Sequence, residues 1–421
     1  MKNEKAFTIL LTANAISGFA QGISIIAIPW YFINVLEKSS TFGIMYAAVT
    51  FITLFWSLYA GTLIDKYSRK KIFLSVNIFG GIILGLVAGI GWYFNNVPSW
   101  CVMLVFASTI FIFNIHYPSL YAFGQEITEK EKYAKMNSLL EIQLQTTTMI
   151  SGALAAVLLA GTKNQTVNIF GFVVHLSADI QKWELYEIFA MNAFTYFIAV
   201  FLILFIKYEP VFEKNTDTGT IWERTVTGFR FLKEQPLIFL FGNASYAIFV
   251  IMLIEANQLM PLYIAHNLNE DASVYASAEM YYALGALFSG FVITRIFKNM
   301  HSLKAIILMM FITAAGCYMC SFSKKVLIFY LFSLLLGITN AGTRILRIIY
   351  LFRHIPNHLT GRTSCIFNMI NIIFRTLLIG LFSVSFFTQS NHVIYSFFIC
   401  GTFILVWIVP LILKYEKLKK Q

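Results

Sequence analysis

Long apolar runs separated by short polar clusters constrain the fold of this chain most strongly. A helix that crosses the hydrocarbon core of a bilayer needs about 20 mainly apolar residues. A water-soluble domain would also carry about 25% charged residues, whereas this chain carries 12%. The pattern predicts an all-α membrane protein with twelve transmembrane helices, at residues 7–36, 42–64, 72–94, 100–124, 134–160, 188–206, 237–265, 274–297, 303–322, 326–352, 361–388 and 391–413.

The distribution of lysine and arginine predicts how these helices are oriented. Cytoplasmic loops of membrane proteins carry an excess of Lys and Arg. If the N-terminus lies inside, 23 of the 31 cations fall on the cytoplasmic side and five on the outer side. The formal net charge of +11 is thus spread over short interhelical clusters, which favours membrane topology over nucleic-acid binding. We expect a multi-pass protein of a bacterial inner membrane with both termini in the cytoplasm.

Three weak sequence matches at nearly one offset predict an internal repeat. Asn14-Ala15 recurs at Asn243-Ala244, and the stretch that starts at Gly61 recurs in degraded form at Gly290. These offsets are both 229 residues, and a third match has an offset of 231. Repeats of this kind build transporters from two pseudo-symmetric six-helix halves with a site near the midplane. We therefore predict an N-terminal half at 1–206, a cytoplasmic linker at 207–236 and a C-terminal half at 237–421.

A charged motif, GTLIDKYSRKK, separates the second and third predicted helices. It fits the pattern G-x-L-x-D-x-x-x-R-K-K and resembles the cytoplasmic signature of the major facilitator superfamily, although Ser68 stands where the family usually has glycine. The residues of that pattern are Gly61, Leu63, Asp65, Arg69, Lys70 and Lys71. The resemblance implies the major facilitator fold and transport by alternating access.

The same motif is expected to form a cytoplasmic gate from Gly61, Asp65 and Arg69. Without a side chain, Gly61 would allow a neighbouring helix to approach closely. Asp65 is placed to interact with Arg69 and with the positive N-terminal end of an adjacent helix. In the family such an acid latches the two halves, and here its expected partner is the start of the eleventh helix near 361–363. The two lysines that follow Arg69 are expected only to fix topology and to contact headgroups.

Further motifs narrow the resemblance to one branch of the superfamily. Tyr117-Pro118, the stretches 125–128 and 135–138, and the stretch 356–362 resemble macrolide-type efflux proteins and bacterial exporters of catecholate siderophores. The arginine that drug–proton antiporters carry in the fourth helix is absent, with Thr109 near its place. The Gly-Pro pair of their fifth helix is also absent, which weighs against proton-driven drug export. The long outer loop 161–187 shows the pattern of a short hairpin at 166–175.

Arginines within the spans are the first candidates for a substrate site, because intramembrane charge is costly and marks function by default. Arg375 lies near the middle of the eleventh helix, and Arg344 and Arg347 share a face of the tenth. Three guanidinium groups suit a carboxylate, phosphate or sulfonate. The alternative is that Arg344 and Arg347 reach the cytoplasmic interface.

Acidic and amide side chains complete the predicted site. Glu255 and Glu141 are candidates to couple transport to an ion gradient, with the proton as the candidate ion. A structural ion pair, for Glu255 with Arg375, is the alternative. Amides at plausible depth could line the cavity or bond helix to helix: Asn14, Gln21, Asn114, Asn340, Asn368 and Asn371. His116, two residues before Pro118, is expected to be a satisfied packing residue. Pro29 and Pro261 could bend the gating ends of the first and seventh helices.

These observations favour a monomeric secondary active transporter that exports an amphipathic, anionic organic solute. Uptake of an anionic metal chelate or a lysophospholipid by the same fold is an alternative. A non-transporting receptor would need a soluble domain larger than any loop here. An enzyme would need a nucleophile–base set or metal cluster, and no such motif is found. We expect no cofactor and no metal, and we interpret Cys317 and Cys320 as packing residues.

Overall fold

The computed structural model describes residues 3–162, 164–207, 221–297 and 300–419. Eleven of these are described by their backbone alone: Leu58, Thr62, Asp65, Lys130, Ala134, Ile221, Trp222, Arg224, Thr294, Asn357 and His358.

Twelve helices in the described residues are long and apolar enough to cross a membrane, which confirms the predicted number. The structure is that of a multi-pass membrane protein. We call the side of the membrane with the N-terminus the near side and the opposite side the far side, so that odd-numbered spans run from near to far. The spans are Glu4–Val35, Ser39–Ser57, Arg69–Phe94, Ser99–Ile127, Lys135–Ala160, Leu185–Leu204, Pro236–Leu268, Ala272–Ile293, Ser302–Phe322, Val326–His354, Leu359–Phe382 and Ser390–Leu413.

Side chains close the ends of the sixth span. The last carbonyls of a helix have no partner within the helix itself. Lys70 Nζ donates to the carbonyls of Leu204 (3.0 Å) and Ile206 (2.7 Å) there. At the other end of this span, Glu184 and Glu187 form a capping box. The expectation that Lys70 serves only topology and headgroup contact is therefore wrong, because its ammonium also closes a helix C-terminus.

The seventh span is discontinuous. Its α-helix ends at Ser245, resumes at Ala247 and passes into a π-helical turn at Glu255–Leu259. Pro261 follows that turn, in the short helix Met260–Tyr263. Turns of π-helix inside α-helices are rare and occur frequently at functional sites.

Irregular backbone also marks the far-side end of the first span. Pro29 is the penultimate residue of the α-helix Glu4–Trp30, and the π-helical turn Tyr31–Val35 follows directly. Each of the two prolines singled out in the sequence therefore lies beside a π-helical turn. A proline lacks the amide hydrogen of the helical ladder, which is consistent with irregularity at both places.

The chain forms two compact units. The first comprises Met1–Lys38, Ile52–Asn215 and Asp271–Met280. Apolar side chains of the first, third, fourth, fifth and sixth spans form a core there, with Phe73 and Phe123 among its fully buried members. The core packs closely at Gly124, because a Cβ atom there would lie 2.6 Å from Met136 Sδ and would displace that side chain.

The second unit comprises Ser39–Phe51, Thr216–Glu270 and Tyr281–Gln421. The first turns of the second span belong to it and are held by hydrogen bonds. Ser40 Oγ donates to the Ser383 carbonyl at 2.6 Å, and Tyr46 Oη donates to the Leu253 carbonyl at 3.0 Å. The predicted boundaries at 206 and 237 fall between spans, whereas these units also divide the second and eighth spans internally.

A hairpin lies in the loop after the fifth span and confirms the predicted one. Strands β1 (Thr166–Ile169) and β2 (Phe172–His175) pair antiparallel with Thr166 opposite His175. The two-residue turn, Phe170-Gly171, has positive φ at both positions, 57° and 77°. Such a turn matches the right-handed twist of the paired strands.

A helix, Ile221–Glu234, occupies the second part of the predicted linker. Its Gly228 approaches the start of the eleventh span, since a Cβ atom there would lie 3.0 Å from the Arg362 carbonyl. Residues 208–220 of the predicted linker lie outside the described residues.

We predict that Gly285→Ala destabilises the second unit. A methyl group at Gly285 would overlap the Leu334 carbonyl oxygen of the tenth span. Overpacking of this kind costs about 1–3 kcal/mol, more than the ~1 kcal/mol that alanine gains over glycine in helix propensity. Thermal unfolding of the purified protein in lipid nanodiscs measures the loss.

Gly290→Ala is the matched control on the same helix, because no described atom lies within 4 Å of a Cβ built there. We expect its unfolding temperature to equal or slightly exceed that of the wild type. Equal unfolding temperatures for the two variants would contradict the packing account.

Candidate functional site

Arg375 and Asn371 place unused polar atoms on one face of the eleventh span. They are four residues apart, so their side chains are neighbours on the helix surface. Asn371 is 2% exposed, and neither its amide oxygen nor its amide nitrogen makes a hydrogen bond among the described residues. The Nε of Arg375 is buried and also makes no hydrogen bond there. Buried polar groups are normally satisfied, so the unused atoms of this face are candidates to bind a polar group.

Tyr46 lies beside Arg375. The phenol interacts electrostatically with the guanidinium and with the Asn257 side chain. It is held in place because its hydroxyl donates to the Leu253 carbonyl. The ring is 3% exposed. Within the second unit, Arg375 thus lies next to a neutral hydroxyl aromatic, which leaves its positive charge available.

Glu255 lies deep in the second unit and is 1% exposed. It is the first residue of the π-helical turn Glu255–Leu259 in the discontinuous seventh span. Its carboxylate interacts electrostatically with Cys317 and Cys320 of the ninth span. Both thiols are free and fully buried. Burial of a carboxyl among such groups makes a proton-carrying role chemically feasible.

Arg347 is engaged in structure rather than exposed to a ligand. It is 6% exposed, its Nη1 donates to the Ser245 carbonyl at 3.0 Å, and its guanidinium carbon lies 3.6 Å from the centre of the Tyr246 ring. Ser245 and Tyr246 form the break in the seventh span. The guanidinium therefore satisfies a carbonyl that the helix leaves open at this point. Arg344, one turn earlier, is exposed.

Asn340 bonds helix to helix. Its amide nitrogen donates to Tyr282 Oη of the eighth span at 2.8 Å, and its side chain is 9% exposed. Both residues belong to the second unit. The amide oxygen of Asn340 is left to accept a further hydrogen bond.

The first unit contains a chain of polar contacts that links three spans. Asn14 Nδ2 donates to Gln143 Oε1 at 2.9 Å. His116 Nε2 lies 2.7 Å from Asn14 Oδ1 and donates to it, because an amide oxygen only accepts. The imidazole also packs on Phe73, with ring centres 4.7 Å apart. The prediction that His116 is a satisfied packing residue is confirmed.

Two further predicted residues of the first unit carry usable polar atoms. Gln21 is 7% exposed, and its amide nitrogen makes no hydrogen bond among the described residues. Glu141 is partly buried and accepts a hydrogen bond from Gln145 Nε2 at 3.1 Å. The first unit thus presents amides and a carboxyl, whereas the second presents guanidinium groups.

The charged motif between the second and third spans is tied to the end of the fourth. Arg69 Nε lies 3.4 Å from Glu126 Oε1. Glu126 belongs to the stretch 125–128, one of those that resemble macrolide-type efflux proteins and siderophore exporters. The expected close helix approach at Gly61 is not found, since no described atom lies within 4 Å of a Cβ built there. The side chain of Asp65, and with it the predicted latch, lies outside the described residues.

Sequence reasoning missed two functional candidates. Glu279 is an ionisable residue seven positions into the eighth span. Its position as a single charge within an apolar run could have identified it from the sequence. The role of Tyr246 at the helix break could not be predicted, because no local sequence pattern indicates a break in this apolar helix. Only the position of Arg347 on another span shows that the break is stabilised.

The chain belongs to the Major Facilitator Superfamily of transporters, whose sequence pattern matches residues 10–377. A relative, the uncharacterized MFS-type transporter YvqJ of Bacillus subtilis (strain 168), is 32% identical over 114 residues. That match covers 26% of this chain and 26% of the relative, so the chain matches about a quarter of the relative's length.

Solved transporters share the fold. A mutant of the nucleoside transporter NupG has a TM-score of 0.73 at 12% identity, covering 97% of this chain and 99% of that one. The POT family transporter PepTSo has a TM-score of 0.69 at 12% identity, covering 99% of both chains. The predicted fold class, twelve transmembrane helices in the major facilitator fold, is confirmed.

We predict that Tyr246→Leu destabilises the protein and that Tyr246→Phe does not. The leucine removes the ring on which Arg347 lies, whereas phenylalanine keeps it. A desolvated cation–π contact contributes about 2 kcal/mol, so the free energy of unfolding should fall by about that amount in the leucine variant alone. Chemical unfolding in mixed micelles measures it. Equal losses in both variants would show that the ring does not stabilise the arginine.

Proposed function

We propose that this chain is a monomeric secondary active transporter that exports an amphipathic, anionic organic solute across a bacterial inner membrane. Its six-helix halves would rock about a midplane site, and both termini would lie in the cytoplasm, as the 23-to-5 division of Lys and Arg favours. An ion gradient energises the cycle without any cofactor.

The observation that carries the proposal is the polar face of the eleventh span. Asn371 and the Nε of Arg375 lack hydrogen bonds among the described residues, and the residue beside the Arg375 guanidinium is Tyr46, a phenol rather than an acid. A carboxylate, phosphate or sulfonate would accept hydrogen bonds from both side chains at once. Arg344 and Asn340 of the tenth span belong to the same unit and supply further donors for the solute. Arg347 acts by holding the break in the seventh span.

Asn14 and Gln21 are the proposed solute-binding residues of the first unit. Asn14, Gln21 and Gln143 present amides, which recognise hydroxyl and carbonyl groups. An amphipathic solute with one acidic group fits this division better than a cation, because the arginines that were singled out within the spans all lie in the second unit. Resemblance to macrolide-efflux and siderophore-exporter proteins supports export and an organic solute of that kind.

Uptake of an anionic metal chelate or a lysophospholipid is the second candidate. The same arginine face favours it, because both solutes carry an anionic group. Transport assays in both directions decide between the two candidates.

Glu255 and Glu141 are the proposed coupling residues, with the proton as the coupling ion. A buried carboxyl can carry a proton when its surroundings disfavour its charge. Glu255 is the first residue of a π-helical turn, and Glu141 accepts a hydrogen bond from Gln145. Gly61, Asp65 and Arg69 are the proposed cytoplasmic gate.

We predict that Arg375→Ala weakens binding of an anionic solute about 10- to 100-fold. Hydrogen bonds to charged groups contribute about 1.5–3 kcal/mol, and each 1.4 kcal/mol is a factor of ten. Asn371→Ala should weaken binding less, because it removes a neutral donor. The assay is counterflow in proteoliposomes against a panel of anions, chelates and neutral drugs.

Arg353→Ala is the matched control, since that arginine is exposed at the near-side end of the tenth span. Unchanged affinity for every anionic solute in folded Arg375→Ala and Arg344→Ala variants would overturn the anion proposal.

We predict that Glu255→Gln abolishes accumulation against a gradient but preserves solute exchange. The amide fits the site of the carboxyl and cannot release a proton, so only the coupled cycle stops. Uptake driven by a pH gradient, compared with exchange at equal pH, separates the two activities. Glu416→Gln, at an exposed C-terminal position, is the control. A Glu255→Gln protein that still accumulates solute would exclude a proton-carrying role for this residue.

A further inference from the structure

The first turns of the eighth span, Ala272–Met280, are enclosed within the first unit. Every side chain from Ala272 to Ala278 is buried, as is Met280, while Glu279 is partly buried. Glu279 is seven residues from the far-side end of its span, which corresponds to a depth of about 10 Å. A carboxyl therefore lies within the apolar part of the bundle.

Three neighbouring elements enclose this segment. The Trp30 ring of the first span lies 6.2 Å from the Tyr275 ring, centre to centre. The backbone N–H of Phe170, in the turn of the hairpin, donates to Ser277 Oγ at 3.1 Å. Gly152 of the fifth span packs directly on the segment, since a Cβ atom there would lie 3.0 Å from the Ala276 carbonyl.

Among the described residues, the enclosing elements place no charged side chain beside Glu279. The charged residues nearest in sequence on the first span are Lys5 and Glu37, outside its apolar run. On the fifth span the nearest is Glu141, eleven residues before Gly152 and thus about 16 Å along the helix. The hairpin carries only His175, which is exposed.

Asp271 precedes the helix of Glu279, and the helix itself carries the neutral phenols of Tyr275, Tyr281 and Tyr282. Glu279 makes no hydrogen bond or ion pair within the part of the chain that the structure describes. The carboxylate form would thus have no counter-charge among the described residues and only partial access to water, which disfavours it relative to the neutral acid.

We propose that Glu279 is a proton-binding site that holds the far-side segment of the eighth span in its enclosed position. When the segment is enclosed, the carboxyl keeps its O–H bond. When the segment separates from the first and fifth spans, water reaches the carboxyl, and the proton passes to water on the far side. Re-enclosure takes a proton from the same water.

Glu279 lies close to two structural features of the eighth span: the division between the two units and the contact with the hairpin. Residues up to Met280 belong to the first unit and residues from Tyr281 onward to the second, so Glu279 lies immediately before the division. Phe170 ties the hairpin to the segment that must move. If the chain transports as proposed, low pH on the far side would favour the enclosed state of this segment during the transport cycle.

Hydrogen–deuterium exchange of residues 272–280 in lipid nanodiscs, corrected for intrinsic exchange, tests the site without any substrate. Opening releases one proton at pH values between the pKa of the Glu279 carboxyl in the open segment and its pKa in the enclosed segment. In that range the equilibrium constant for opening of the wild-type segment should rise up to about tenfold per pH unit. Glu279→Gln, which resembles the protonated acid, should keep the segment protected at every pH. Glu187→Gln, at an exposed position near the far side, should behave as the wild type.

Infrared spectroscopy supplies a second readout if Glu279→Gln alters folding. The pH-dependent carbonyl band of protonated carboxyls should have equal intensity in the wild type and in Glu187→Gln, and should lose the contribution of one carboxyl in Glu279→Gln. A wild-type segment whose protection does not change with pH, or a band whose intensity is the same in Glu279→Gln as in the wild type, would overturn the inference. Either result leaves the proposed transport function intact, and failure to find transport leaves the proton site intact.

Discussion

The absence of water in the hydrocarbon core is the constraint on which the rest of this structure depends. Every backbone polar group at that depth must find a partner within the protein. Unbroken helices meet the requirement by themselves, and the exceptions are therefore informative. At the break in the seventh span the Ser245 carbonyl accepts from Arg347, whose charge is in turn held over the Tyr246 ring. An intramembrane arginine here stabilises an irregular helix next to the candidate site.

The same constraint explains how the spans approach one another. Lipid is as apolar as leucine, so close contact between backbones replaces the hydrophobic effect as the source of association. Gly285 and Gly337 allow the eighth and tenth spans to meet at their carbonyl groups. Gly61 and Gly290, which correspond in the proposed repeat, have no described atom within 4 Å of a Cβ built on them.

The sequence was sufficient for the number and the approximate bounds of the spans, because hydropathy depends on composition within a window. The hairpin at 166–175 was also predictable, since β-propensity flanks its Phe170-Gly171 turn. The partners of charged side chains were not predictable. Arg69 lies against Glu126 and Lys70 against two carbonyls of the sixth span, and such partners are set by packing between distant segments. Arg347 and Arg375 both lie within apolar runs of the sequence. In the structure Arg347 donates to the carbonyl at the break in the seventh span, whereas the Nε of Arg375 has no hydrogen bond among the described residues.

The central claim is that the eleventh span of this major facilitator transporter recognises an anionic solute. The most direct measurement is a cryo-electron microscopy structure of the wild-type protein with a transported anion bound. The account predicts an acidic group within hydrogen-bonding distance of both Arg375 Nε and Asn371 Nδ2. A bound solute that leaves these atoms untouched, with Arg375 paired to Glu255 instead, would contradict it.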